Sequence, residues 1–167
     1  WTVKDEAIHQ ELATLMSLTP EETASLAGFH AAAKAAAPAL TEAFYKRLTA
    51  HQNTNEYFAG IDLGKMHSLT GNWFADLFGG RYDAAYVKER LHIGSVHVRI
   101  GLPVRYPLAM LDLITEHGQK VAGQNEVALR ALRKVLALDV AIFNQAYEDN
   151  QLQHLSELVG GERLARR

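Results

Sequence analysis

Histidine is the residue type with the widest chemical reach in this 167-residue chain, which holds eight of them and no cysteine. A neutral imidazole ligates a metal through one ring nitrogen while the other donates a hydrogen bond, and the ring titrates near neutrality. Among His9, His30, His51, His67, His92, His97, His117 and His154, one is singled out by its neighbours. Ile93, Val96 and Ile100 surround His97 at helical spacing, which sets its ring among apolar side chains. That setting suits a metal ligand and equally suits a partly buried histidine satisfied inside a core. His92, five residues earlier, falls on a different face of the same helix. Tyr45 is the second candidate, because a buried phenol needs a partner that a ligand can supply; a ring packed at the surface with its hydroxyl in water is the alternative. Periodicity turns Met66 and Leu69 inward as an apolar roof with His67 at its edge and Thr70 beside it, a pattern that ordinary core packing also produces.

The elements that must carry these residues read as helices throughout. Ile8, Leu12, Leu15 and Met16 share one face of a short first helix. Thr19, Pro20 and Glu22 then spell an N-cap, a first-turn proline and a capping-box glutamate. An alanine-rich helix follows from Phe29 to Leu48, and Pro38 predicts a kink or junction near Ala36–Pro38. Asn53, Thr54 and Asn55 mark a turn, and Met66, Leu69, Trp73 and Leu77 stripe a helix over Leu63–Phe78 that Gly79–Gly80 ends. Asp83 caps a helix to about Gly101 in which Tyr86, Arg90, Ile93, His97 and Ile100 keep a three-or-four-residue rhythm. Another helix runs from near Val104 to Gly123, and a last one from Asn125 to a break at Gly160–Gly161, roughly 50 Å long.

Composition narrows the functions available. Without thiols there is no disulfide framework, cysteine nucleophile, thiolate zinc site or cysteine-ligated iron–sulfur cluster. Nineteen acids against seventeen bases give a formal charge of -2, which offers little general attraction to nucleic acid or anionic lipid. The longest wholly apolar run, Ala35–Leu40, is far below the ~20 residues of a helical membrane span. No glycine-rich phosphate loop, Gly-x-Ser-x-Gly turn or His-Glu-x-x-His helix is present. Lys88, Glu89, Arg90 and Arg99 read as solvent-facing, and Asp62 and Asp76 as helix-end or surface acids. The chain starts at Trp1 without a signal-peptide pattern and reads as a fragment whose charged end, Arg166–Arg167, leads to something further.

The run Leu91-His92-Ile93-Gly94-Ser95-Val96-His97-Val98-Arg99-Ile100-Gly101-Leu102-Pro103 resembles the proximal-helix signature of globin-coupled sensors. Ala43-Phe44-Tyr45 resembles the distal tyrosine segment of the same family, and the resemblance extends from Pro20 through the long final helix. It implies an all-α, globin-like fold over residues 1–159, with 160–167 as a C-terminal junction. It implies haem b held by His97, not His92, as the metal ligand, with Tyr45 bonding to oxygen or another diatomic gas. Met66, Leu69, Trp73 and His92 are the further cofactor contacts expected, and Lys88, Glu89 and Arg90 are the alternatives for the haem propionates. An apolar Leu69 on the distal side leaves the hydrogen bonding to Tyr45.

The resemblance further implies a cytoplasmic homodimer joined through its last two long helices. That would account for Leu132, Leu136, Phe143 and Tyr147 continuing the final apolar pattern. It also implies a covalently attached output domain, a diguanylate cyclase or a chemotaxis signalling module, with no catalysis by the sensor domain itself and no contact with nucleic acid or membrane. A haem-free globin-like regulatory or dimerisation domain and a haem-dependent redox enzyme are the alternatives.

Overall fold

The computed structural model describes residues 7–165, so Trp1 and the Arg166–Arg167 end lie outside the described residues. These residues form nine α-helices: α1 (Ile8–Met16), α2 (Pro20–Ala27), α3 (His30–Ala50), α4 (Gln52–Asn55), α5 (Leu63–Asp76), α6 (Ala84–Arg99), α7 (Arg105–Leu108), α8 (Leu111–Ala122) and α9 (Glu126–Ala165). A 3-10 turn, Glu56–Phe58, follows α4. The all-α expectation therefore holds, and no described helix is long and apolar enough to cross a membrane.

Local chemistry sets most of the boundaries. Thr19 and Glu22 form the full capping box at the start of α2. Asp62 accepts from the Lys65 amide at the start of α5, and Asp83 accepts from the Tyr86 amide at the start of α6. Gly101, with φ +74°, closes the end of α6 in the left-handed region, where the Leu102 amide reaches back to the His97 carbonyl at 3.1 Å.

Five expectations are corrected. The helix through Pro38 is continuous, because Pro38 and Lys34 both lie on its exposed side, where water can replace the partner that the Lys34 carbonyl loses. Asn53–Asn55 belong to a one-turn helix, not a turn. The segment from Val104 to Gly123 is two helices separated after Leu108. The final helix passes through Gly160 and Gly161 to Ala165. Leu15, placed by periodicity with Ile8, Leu12 and Met16, is instead 76 % exposed.

Two apolar clusters hold these helices. Leu26, Leu40, Phe74, Phe78, Ile114 and Leu132 belong to the larger, which joins α2, α3, α5, α8 and α9. Ala33 and Ala37 are buried in α3, and their small side chains let α5 pack closely upon it. Tyr86, Val87, Leu138 and Ile142 form the smaller cluster, covered by Ile8, Leu12 and Met16 of α1. Thus α5 is seated on α3 and α6 on α9.

Two buried ionic clusters fix the long helix. Fully buried Glu22 accepts from the Thr19 amide, Arg130 Nε and Lys134 Nζ, each at 2.9 Å, and so ties α2 to α9. Burial alone would raise its carboxyl, but Lys134, Thr19 and Arg130 outweigh it and hold the group at about 2, below its ordinary 4.5. Arg90, only 3 % exposed, lies with its Nε 3.3 Å from Asp139 Oδ2. Its Nη2 donates to the Trp73 carbonyl at 2.9 Å, and Tyr86 donates to Asp139. The guanidinium also stands over the rings of Tyr86 at 4.5 Å and Trp73 at 5.2 Å. Arg90 is therefore no surface cation: it locks α5, α6 and α9 together at one place. Burial lifts the Asp139 carboxyl to about 6 despite Arg90 and Tyr86.

Because Glu22 titrates lower when folded, its stabilisation is complete above pH 4.5 and disappears as pH falls towards about 2. Glu22→Gln should therefore cost roughly 2–3 kcal/mol at pH 7, discounted for the half-exposed Arg130, and much less at pH 3. Urea unfolding at the two pH values measures this. Arg90→Met should destabilise by about 3–5 kcal/mol by stranding Asp139, whereas Arg90→Met with Asp139→Leu should recover most of that loss in the same assay.

Candidate functional site

His97 sits in the last turn of α6, half-buried, with Nδ1 2.7 Å from the Ile93 carbonyl. A carbonyl only accepts, so the proton resides on Nδ1 and the lone pair on Nε2. Nε2 has no hydrogen-bond partner among the described residues. The ring meets Phe143 of α9 edge-on, with centroids 5.4 Å apart. A neutral imidazole held in this way can ligate a metal through Nε2. Among the described residues no group of three or more histidines or acids could hold a metal ion. One imidazole with this geometry fits an iron whose four in-plane bonds come from a porphyrin, and the donor set therefore fits haem.

His92 is elsewhere. It is exposed, and with Lys88, Ser95 and Arg99 it lines a groove of about 540 Å3 between α6 and the far half of α9. A second groove, of about 250 Å3, lies beside Arg47, His51 and Tyr106. Neither groove contains Tyr45 or His97, so the two candidate residues do not share either of these grooves.

Tyr45 is only 6 % exposed, which excludes the surface-packed ring with a solvated hydroxyl. Its hydroxyl lies 2.6 Å from Thr70 Oγ1 and donates within 3.2 Å of the Met66 carbonyl. His67 stacks on the phenol ring at 4.6 Å, and Phe44 and Phe58 meet it edge-on. Burial raises the phenol above its ordinary value, more than Thr70 lowers it, so the group remains a protonated donor. Distal α5 thus brings Met66, His67 and Thr70 to Tyr45.

Leu69 does not join them in the core. It is 52 % exposed, against the inward position that periodicity assigns it. Trp73 is half-buried against the large core, and its carbonyl and ring hold Arg90. This tie brings the last turn of α5 to the middle of α6. Elsewhere the two helices share no extensive packing, and Leu69 of α5, Val96 of α6 and Ile100 just past its end are all at least 40 % exposed. Large apolar side chains left open on two helices tied at one end are what a flat apolar ligand needs on its two faces.

Two participants escaped the sequence reading. Thr70 had no role beyond its position, although it lies four residues from Met66 and hence on the same helix face. Phe143 was read as part of a pairing surface, whereas its ring is against His97.

Comparisons with known proteins bear on the family and the fold. The Protoglobin family profile matches residues 5–153. The heme-based aerotactic transducer HemAT of Halobacterium salinarum is 28% identical over 174 residues, covering 92% of this chain and 35% of that protein. This chain therefore spans about a third of that relative's length. The globin domain of the Geobacter sulfurreducens globin-coupled sensor superposes with a TM-score of 0.77 at 25% identity, covering 83% of this chain and 96% of that one. With its family profile matched along most of its length and its helices arranged as in a sensor globin, the chain belongs to the Protoglobin family, as a globin-superfamily domain of the globin-coupled-sensor type.

Proposed function

We propose that this domain binds haem b through His97 and senses oxygen or a related diatomic gas for a longer signalling protein. The observation that carries the reading is the 2.7 Å contact of His97 Nδ1 with the Ile93 carbonyl, which leaves Nε2 as the ligating nitrogen. Haem, when bound, would supply the iron that takes up a diatomic gas. The Ile93 carbonyl fixes the imidazole tautomer and raises its basicity as a ligand. On the opposite side Tyr45 keeps its proton, and Thr70 can donate to the phenol oxygen, so that the Tyr45 hydrogen, which goes to the Met66 carbonyl here, would turn to the gas when one is bound. A ligand that gains negative charge on binding, as oxygen does, would benefit from that donor, and carbon monoxide would benefit less. Met66 and Leu69 supply apolar surface on the distal side, while Trp73 sits at the closed end, where it holds Arg90. His92 serves at most the rim.

Signalling requires the gas to favour one of two protein arrangements. Support for a partner comes from α9, whose Leu152, Leu155, Leu158 and Val159 are exposed beyond the packed body. These residues suit a homodimer formed with a second copy in the cytoplasm, ahead of an output domain such as a diguanylate cyclase or chemotaxis module. Leu132 and Leu136 are buried within the chain and contribute to its own core instead. The haem-free regulatory reading draws on one observation, that the Tyr45 hydroxyl is already satisfied by Thr70 and Met66.

Absorption spectra of protein reconstituted with haem decide between these readings. The histidine-ligated ferrous spectrum should appear in wild type and vanish in His97→Ala; an unchanged variant overturns the ligand assignment, and a wild type that takes up no haem supports the haem-free domain. In rapid-mixing measurements Tyr45→Phe should accelerate oxygen release roughly 10–100-fold, the worth of a hydrogen bond to a charged acceptor, and carbon monoxide release by less than about threefold.

A further inference from the structure

A hydrogen bond from Nδ1 holds the His97 ring at one point and leaves it able to turn about that contact. A second contact is needed to fix the ring plane, and it comes from α9. Phe143 meets the imidazole with an interplanar angle of 74°. Tyr147, one turn further along α9, packs against Phe143 with centroids 5.3 Å apart. Its hydroxyl donates to the Leu102 carbonyl at 2.6 Å, and the Leu102 amide donates to the His97 carbonyl at 3.1 Å. The ring and the backbone of position 97 are thus both anchored to a single turn of α9. The anchor cannot slide easily: a Cβ at Gly94 would meet the Ala146 methyl at 2.7 Å and Phe143 Cδ2 at 3.6 Å, so the helices are in backbone-level contact beside it.

We infer that Phe143 and Tyr147 are positioning residues for His97, so that the orientation of the imidazole and the placement of α9 are set by the same contacts. This rests on the assignment of His97 as the haem ligand. The aromatic pair fixes the plane of the imidazole, and any tilt of the ring is borne by the helix that continues to Ala165.

Two measurements test it, using Tyr147→Phe, which keeps the ring, and Phe143→Leu, which keeps an apolar filler. In haem-free protein, hydrogen exchange of the Leu102 amide should quicken about fivefold or more in Tyr147→Phe, as expected for loss of one anchoring hydrogen bond. In haem-loaded ferrous protein without gas, the iron–histidine stretching band in resonance Raman spectra should shift in both variants. A band at the wild-type position in both variants overturns the inference even if exchange quickens, because the contacts would then be structural only. A wild type that shows no such band overturns the haem reading and this inference with it.

Discussion

The close crossing of α6 over α9 is the constraint on which the site depends. Gly94 has no side chain, and a methyl there would press on Ala146, so the absence of a side chain is what lets the two helices come this close beside it. Once they do, the register of everything else on α6 follows. Arg90 comes against Asp139, His97 against Phe143, and the carbonyl of Leu102 against Tyr147. A helix placed this firmly can hold an imidazole at a set angle, whereas one on a loose apolar seat could not.

The buried pair of Arg90 and Asp139 is costly to maintain in isolation, since removing two charges from water is expensive. It is offset by the Trp73 carbonyl, the Tyr86 hydroxyl and two aromatic faces. Its return is geometric. Only through Arg90 does α6 reach the α5 backbone by a hydrogen bond among the described residues, and this single tie leaves the rest of the α5–α6 pair open. The cluster closes one end of the pair, while Leu69, Val96 and Ile100 remain exposed.

Much of this was legible in the chain because local rules decide it. Thr19, Asp62 and Asp83 cap their helices through side-chain contacts within three residues, and His97 bonds to the carbonyl four residues before it. Long-range contacts were not legible. Arg90 lies on the same rhythm as Tyr86, Ile93 and His97, yet its charge argued for solvent, because its partner Asp139 is 49 residues away. Leu69 fits an apolar stripe but is exposed, since periodicity gives a face and not what covers it. Pro38 predicts a break that the hydrated side of α3 tolerates. The Tyr45 hydroxyl needed a partner in any reading, but Thr70 could be identified only once α5 lay on α3.

The central claim, that Nε2 of His97 is the protein's bond to haem iron, is tested most directly by removing the ring and returning it. His97→Gly, reconstituted with haem and titrated with free imidazole, should lose the wild-type ferrous spectrum and regain it as imidazole occupies the space the side chain left. A variant that keeps the wild-type spectrum with no imidazole present would contradict the account, because another residue would then be the ligand.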